Sequence, residues 1–307
     1  MERYNKDKMT VNSKEYDDLL KKEIEIWSRY KGSEDGSGFK ERKESAPYQT
    51  YRRGTTELML EYIRKCGNNI SVLELGSADG WLTNEIINLS GVKDITSIDI
   101  SLNDNLEKRY NHKSIVLRGD LNKIDRIKFY QKFDCIITQG TLHHLVDPLN
   151  TLRYCIDNLL KEKGVIIIND TWVHQAIQLK TNAFLYSILN RLPHAIFKLN
   201  IKELLKILFY RIPCILFSMK FAESVAHSHN TSPFESISSA DDYKELYDRK
   251  DLEILYFRNF AALPGLQNSW SKSPRIIKDV VQKMDDFLIE KGWFVGDLHI
   301  CILKKIN

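Results

Sequence analysis

The chain has five cysteines, Cys66, Cys135, Cys155, Cys214 and Cys301, but no CxxC pair. An odd count without paired spacing argues against a disulfide framework, and three of the five sit in apolar runs, as small buried thiols of a reducing compartment do. The first residues, MERYNKDKMTVNSKEYDD, lack the apolar stretch of a secretion signal, so a cytoplasmic protein is expected. An excess of one charge is also lacking: 45 basic against 41 acidic residues leave +4, too little to demand a nucleic-acid partner. His227 and His229 read as a pair in a surface loop, and no metal site is expected. Internal repeats and low-complexity tracts are absent. What remains, with 43% apolar and 28% charged residues in 307, is a globular chain of one large domain or a domain with an appendage.

Helical spacing of Tyr16, Leu19, Leu20, Ile24 and Trp27 predicts an amphipathic first helix with its cap at Asn12 or Ser13. The Gly- and Ser-rich stretch over 31–46 then reads as a loop. From residue 71 short apolar runs alternate with helical patterns: SVLEL, DITSIDI, SIVLR, FDCIITQ and GVIIIND read as strands buried on both faces, hence an α/β fold with a parallel sheet. Asp147 and Pro148 open a helix expected to run to Lys163-Gly164. Residues 171–250 are too long for a connection and form an inserted subdomain. LEILYFRNF and DLHICILKK then supply two last strands, with a helix over SPRIIKDVVQKMDDFLIEKG between them.

The turn after the first strand contains Gly76 and Gly80, and Asp99 ends the second strand nineteen residues after Gly80. In an open parallel sheet that turn lets a ligand approach the backbone, and an acid at the second strand's end can accept from both ribose hydroxyls. A dinucleotide turn would read GxGxxG and meet a pyrophosphate. Here two glycines flank three residues, and Glu74 and Asp79 suit a ligand carrying an ammonium and a sulfonium.

With Glu74, Gly76 and Gly80 matching ExGxxxG, the chain resembles the class I S-adenosylmethionine-dependent methyltransferases over roughly residues 70–172. SIDIS, RGDLNKI, FDCIITQGTLHHLVDP and LLKEKGVIIIND resemble the later motifs in order. The resemblance implies a Rossmann-like fold with a seven-stranded, mostly parallel sheet flanked by helices and a helical insertion between strands five and six. It implies S-adenosylmethionine as cofactor, held by Arg53, Glu74, Gly76, Ser77, Gly80, Asp99, Ile100, Asp120, Leu121, Gln139 and Gly140. Asp99 would hold the ribose, and Asp120 would accept from the adenine amino group beside Leu121. Arg53 would pair with the methionyl carboxylate. Trp27 reads as core, yet relatives fold a first helix over the cofactor, and both readings stay open.

Candidates for the chemical role are His143 and His144 after the fourth strand, and Asp170 and His174 after the fifth. His144 can serve as a base or shape its loop, and Asp170 can face substrate or cap the following segment. The expected division is a helical cap over 1–69, a cofactor-binding core over 70–172 and 251–307, and a helical insertion over 173–250. Within 196–221, Lys198, Lys202 and Lys206 lie opposite Ile201, Leu204, Leu205 and Leu208. Such a helix packs on its own domain or on a second subunit in a homodimer, or it lies on an anionic membrane. The expected activity is methyl transfer to O or N of a small molecule. Methylation of a lipid-linked substrate and a non-catalytic cofactor-binding scaffold are the alternatives.

Overall fold

The structure, a computed structural model, describes residues 13–30, 53–78, 80–101, 113–171, 200–218, 234, 243–260, 283–284, 286–292 and 298–306. Asp79, His174, Lys198, His227, His229, the 31–46 loop and the Arg53 side chain lie outside the described set.

Seven strands form one sheet: β1 (Ile70–Leu75), β2 (Val92–Asp99), β3 (Ser114–Arg118), β4 (Phe133–Gln139), β5 (Leu160–Thr171), β6 (Leu252–Phe260) and β7 (Leu298–Lys305). Their order is β3-β2-β1-β4-β5-β7-β6. The first five pair in parallel, while β7 runs antiparallel between β5 and β6. All seven stretches expected to be strands are strands; the apolar continuity of the central ones matches burial on both faces, and every residue of β1 is buried, whereas the edge strands β3 and β6 are partly exposed.

Helices cover both faces. Alpha-helices α1 (Ser13–Tyr30), α2 (Arg53–Lys65) and α3 (Trp81–Ile87) precede β2, and α4 (Pro148–Tyr154) follows β4. Met59 and Ile63 of α2 and Ile86 of α3 pack with Val72, Ile95, Ile137 and Ile167 in one core layer. Leu152 and Ile156 pack with Leu73, Ile136, Ile166 and Leu303 in the other. Asp147 caps α4 by accepting from the Asn150 amide at 3.0 Å, with Pro148 in its first turn, as the sequence indicates.

The end of α4 departs from expectation. A π turn over Cys155–Leu159 closes it, and β5 begins at Leu160, four residues before Gly164. Lys161 Nζ donates to Asp134 Oδ2 at 2.8 Å and holds this early segment along β4, while the register slips between Phe133 and Cys135. Between β5 and β6 the described residues form α5 (Ile201–Lys206), a π turn over Ile207–Arg211, α6 (Ile212–Phe217) and α7 (Lys244–Tyr247). The extra residue in that π turn shifts the helical phase. Ile207 and Ile215 become the buried contacts, whereas Ile201, Leu205, Phe209 and Phe217 are exposed.

His299 on β7 is fully buried opposite Asp170 of β5. Burial pushes its imidazole from 6.5 down to about 3, with Asp170 opposing the shift. The unfolded chain therefore takes up a proton as pH falls below about 6.5 that the folded chain refuses. Stability present at neutral pH drains as pH drops toward about 3. His299→Phe should flatten the fall in melting temperature between pH 7 and pH 5. An undiminished slope would show that His299 is protonated in the folded chain.

Candidate functional site

The carboxyl ends of β1, β2 and β4 meet at one edge of the sheet, because β1 lies between β2 and β4 where the winding direction changes. A cavity opens there. Gly76 and Ala78 line it after β1, Asp99 and Ile100 after β2, and Gly119, Asp120, Leu121 and Asn122 after β3. Gln139, Gly140, Thr141, His144 and Leu145 line it after β4, and Glu23, Trp27 and Phe234 complete it.

The glycine turn is a requirement of space. Gly76 has φ +80°, and a Cβ there would lie 2.0 Å from Thr141 Oγ1, so the loops after β1 and β4 approach closer than a side chain allows. The Gly76 and Ser77 amides donate to the Ile98 carbonyl at 2.8 and 3.2 Å. The Ala78 amide, on a backbone with φ +46°, donates to Asp99 Oδ2 at 2.7 Å. Asp99 Oδ1 accepts from the Ser101 amide at 2.8 Å. The turn and the acid thus orient each other.

Helix α1 crosses this edge. The Tyr16 hydroxyl donates to Asp120 Oδ2 at 2.5 Å, and burial together with that bond raises the phenol above its ordinary pKa. Two turns further on, Trp27 Nε1 donates to Glu23 Oε1 at 2.6 Å. Trp27 also meets His144 edge-on, with ring centroids 4.9 Å apart. Burial, then neighbouring His143, depress His144 to about 3, so its imidazole is neutral at neutral pH. Its Nδ1 is buried without a hydrogen-bond partner, 3.8 Å from Glu23 Oε1.

The loop carrying His144 is fixed from below. Asp170 Oδ2 accepts from the Leu142 amide at 2.6 Å and the Thr141 amide at 3.2 Å, and Oδ1 meets His143 Nδ1 at 2.5 Å.

Residues 67–210 match a family model described as a methyltransferase domain. These residues form a methyltransferase domain, and the sheet around it is that of the Rossmann-like class I methyltransferase fold. Among solved structures it resembles the complex between the Haloferax volcanii Trm112 methyltransferase activator and a methyltransferase, at 13% identity and TM-score 0.51 over 94% of this chain and 97% of that one. It also resembles the plantazolicin methyltransferase BpumL with S-adenosylhomocysteine, at 12% identity and TM-score 0.47 over 96% and 98%. A third is the N-methyltransferase NodS from Bradyrhizobium japonicum WM9, at 11% identity and TM-score 0.44 over 84% and 89%. No curated protein matches the sequence.

The methyltransferase brings together at its cavity seven of the expected cofactor residues, Gly76, Asp99, Ile100, Asp120, Leu121, Gln139 and Gly140, with His144 of the chemical candidates. The cavity suits its cationic cofactor: three carboxylates line it, and among its described lining residues no lysine or arginine does. Ser77 and Gly80 shape the turn without lining the cavity.

Three of the expected residues do not line the cavity. Glu74 does not line the cavity; it is 1% exposed and accepts from Thr83 Oγ1 and, at 2.8 Å, from Ser97 Oγ, which pins α3 and β2 to β1. Asp170 and His143 are likewise not cavity-lining, because the carboxylate is spent on the loop after β4.

Glu23 and Tyr16 are absent from the sequence reading of the site, whereas Thr141 falls within the Gln139–His144 stretch expected to line it. The signal for Glu23 is there: Tyr16, Leu20, Glu23 and Trp27 recur at spacings of four, three and four, so one carboxylate interrupts an apolar stripe. Tyr16→Phe should cost α1 roughly 1.5–3 kcal/mol of docking, the range for a hydrogen bond to a charged group. Hydrogen exchange over 13–30 would then quicken while the sheet stays protected. Unchanged exchange in that helix would show that Tyr16 does not hold it.

Proposed function

We propose that this methyltransferase transfers the methyl of S-adenosylmethionine to oxygen or nitrogen of a small-molecule acceptor enclosed between the loop after β4 and helix α1. The observation that carries the reading is the placement of Trp27 and Glu23 of α1 against His144 at the carboxyl edge of the sheet. A site roofed by a helix suits a compact acceptor better than a polymer. When bound, the cofactor supplies an electrophilic methyl on a sulfonium, and the protein's part is proximity and orientation.

In this reading Asp99 accepts from the ribose hydroxyls, and Asp120 takes the adenine amino group beside Leu121. Gly76 and Gly80 allow the backbone approach, and Gln139 and Gly140 border the methyl-transfer end. Tyr16 already donates to Asp120, so helix and nucleoside share one carboxylate. Residues 1–69 act as cap and 173–250 as a lid or substrate element around the core. Asp99→Ala should weaken S-adenosylhomocysteine binding by roughly 1.5–3 kcal/mol in calorimetric titration. Affinity equal to wild type would remove Asp99 from the ribose.

A second reading rests on α5 and α6. Ile201 is 67%, Phe209 77% and Phe217 88% exposed, with Lys202 and Lys206 on the same helical segment. Among the described residues no helix is long and apolar enough to cross a membrane, but a basic helix with exposed apolar side chains can lie on one. Lipid-linked acceptors would then be reached from the surface. Co-sedimentation with vesicles containing phosphatidylserine should fall with salt and be lost in Lys202→Glu, whereas salt-independent or absent binding would sink this reading.

A further inference from the structure

Helix α1 and the turn after β3 meet at one carboxylate. Asp120 Oδ1 accepts from the Asn122 amide at 3.0 Å and from Asn122 Nδ2 at 3.3 Å, so its own turn fills both acceptor directions of that oxygen. Oδ2 accepts from the Tyr16 hydroxyl, 104 residues away in the chain, at 2.5 Å. Three of the about four acceptor positions of a carboxylate are then used, and the fourth lies on the oxygen that Tyr16 holds.

The partners on both sides are themselves fixed. Lys123 Nζ stands 4.1 Å from the centroid of the Tyr16 ring, and the ring of Phe234, which lines the cavity, lies 5.4 Å from it. Burial, then the bond to Asp120, raise the phenol above its ordinary pKa, so the hydroxyl keeps the proton it donates. Asn122 Oδ1 accepts from the Val146 amide of the loop after β4 at 2.7 Å. The carboxylate is thus held by its own turn on one oxygen and by α1 on the other.

We propose that Tyr16 is a positioning residue for the cofactor's adenine, holding Asp120 Oδ2 for the amino group of the base and so making the cavity select a 6-aminopurine. This rests on the placement of adenine at Asp120 given above and adds to it a residue from outside the motifs. Capacity and freedom both support the role. A donor arriving at Asp120 has Oδ2 to use, because Asn122 fills Oδ1. Without the Tyr16 hydroxyl, one side of the carboxylate is tied down and the other must lose its rotational freedom when the base binds; with it, that ordering is complete before binding. A hydroxyl also donates without bringing a positive charge, so the carboxylate keeps its attraction for an N–H group. The effect is mutual by linkage: a base that bonds Asp120 better when Tyr16 holds it stabilises α1 on the cavity in return.

The test titrates the full chain calorimetrically with S-adenosylhomocysteine and with its analogue carrying hydrogen in place of the adenine amino group. Wild type should prefer the first by at least about tenfold, as for a hydrogen bond to a charged group. In Tyr16→Phe that preference should shrink at least about threefold, which a merely structural contact would not produce, because a loosened α1 weakens both ligands alike. Lys123→Met removes the cation over the ring and leaves the hydroxyl, and it should keep the preference within about twofold of wild type. In hydrogen exchange, S-adenosylhomocysteine should slow residues 13–30 more than the analogue does, and Tyr16→Phe should erase the difference. A preference unchanged in Tyr16→Phe, or lowered as far in Lys123→Met, would overturn the proposal while leaving adenine at Asp120. Equal binding of the two ligands by wild type would remove the amino group from Asp120 and overturn that placement and the proposal together.

Discussion

The amide of Ala78 on the carboxylate of Asp99 joins the exits of the two strands between which a nucleoside is bound in folds of this type. It requires the chain to leave β1 in a left-handed turn, which Gly76 and Gly80 permit and Ala78 tolerates. It also requires the loop after β4 to come against the bare Cα of Gly76, where Thr141 lies. That loop is stiffened in turn by Asp170 of the adjoining strand β5. The cavity is therefore the space left when Asp99 ties the exits of β1 and β2, Asp170 ties the loop after β4 to β5, and that loop closes on Gly76.

The sheet was legible almost whole. Seven apolar runs gave seven strands: the central ones are buried on both faces and carry no polar alternation to blur them, and the edge strands β3 and β6 kept an apolar run although partly exposed. The helix after β4 was read too long because Lys163-Gly164 resembles a helix stop. The Lys161–Asp134 contact that draws the preceding residues into the sheet links segments far apart in sequence. The segment over 201–217 is helical as expected, but Ile201 and Leu205 of its anticipated apolar face are exposed and a π turn over Ile207–Arg211 interrupts it, which no residue type in that stretch announces.

For the site, motif spacing identified residues at strand ends but not the direction of their side chains. Asp99 and Asp120 reach the cavity, while Glu74, from the glycine motif, is drawn inward by Thr83 and Ser97. Whether a carboxylate in a motif faces ligand or core depends on hydroxyls contributed by other elements, which spacing does not reveal. Glu23 shows the opposite case. It belongs to no motif, and its place at the cavity appears only when α1 is laid across the sheet.

The position of β7 has a consequence for how the molecule is made. β6 precedes β7 in the chain yet joins the sheet only through it, since β7 lies between β5 and β6. During synthesis from the amino terminus, β6 emerges with its LEILYF run and lacks its native partner until β7 follows. For that interval the growing chain carries two open strands of strong pairing tendency, β5 at the rim of the nascent sheet and β6 unattached. These are the conditions in which chains pair with one another instead of with themselves. The late, antiparallel insertion of β7 closes both at once, so the quality of the finished sheet depends on how quickly a single hairpin-like event follows the completion of the parallel half.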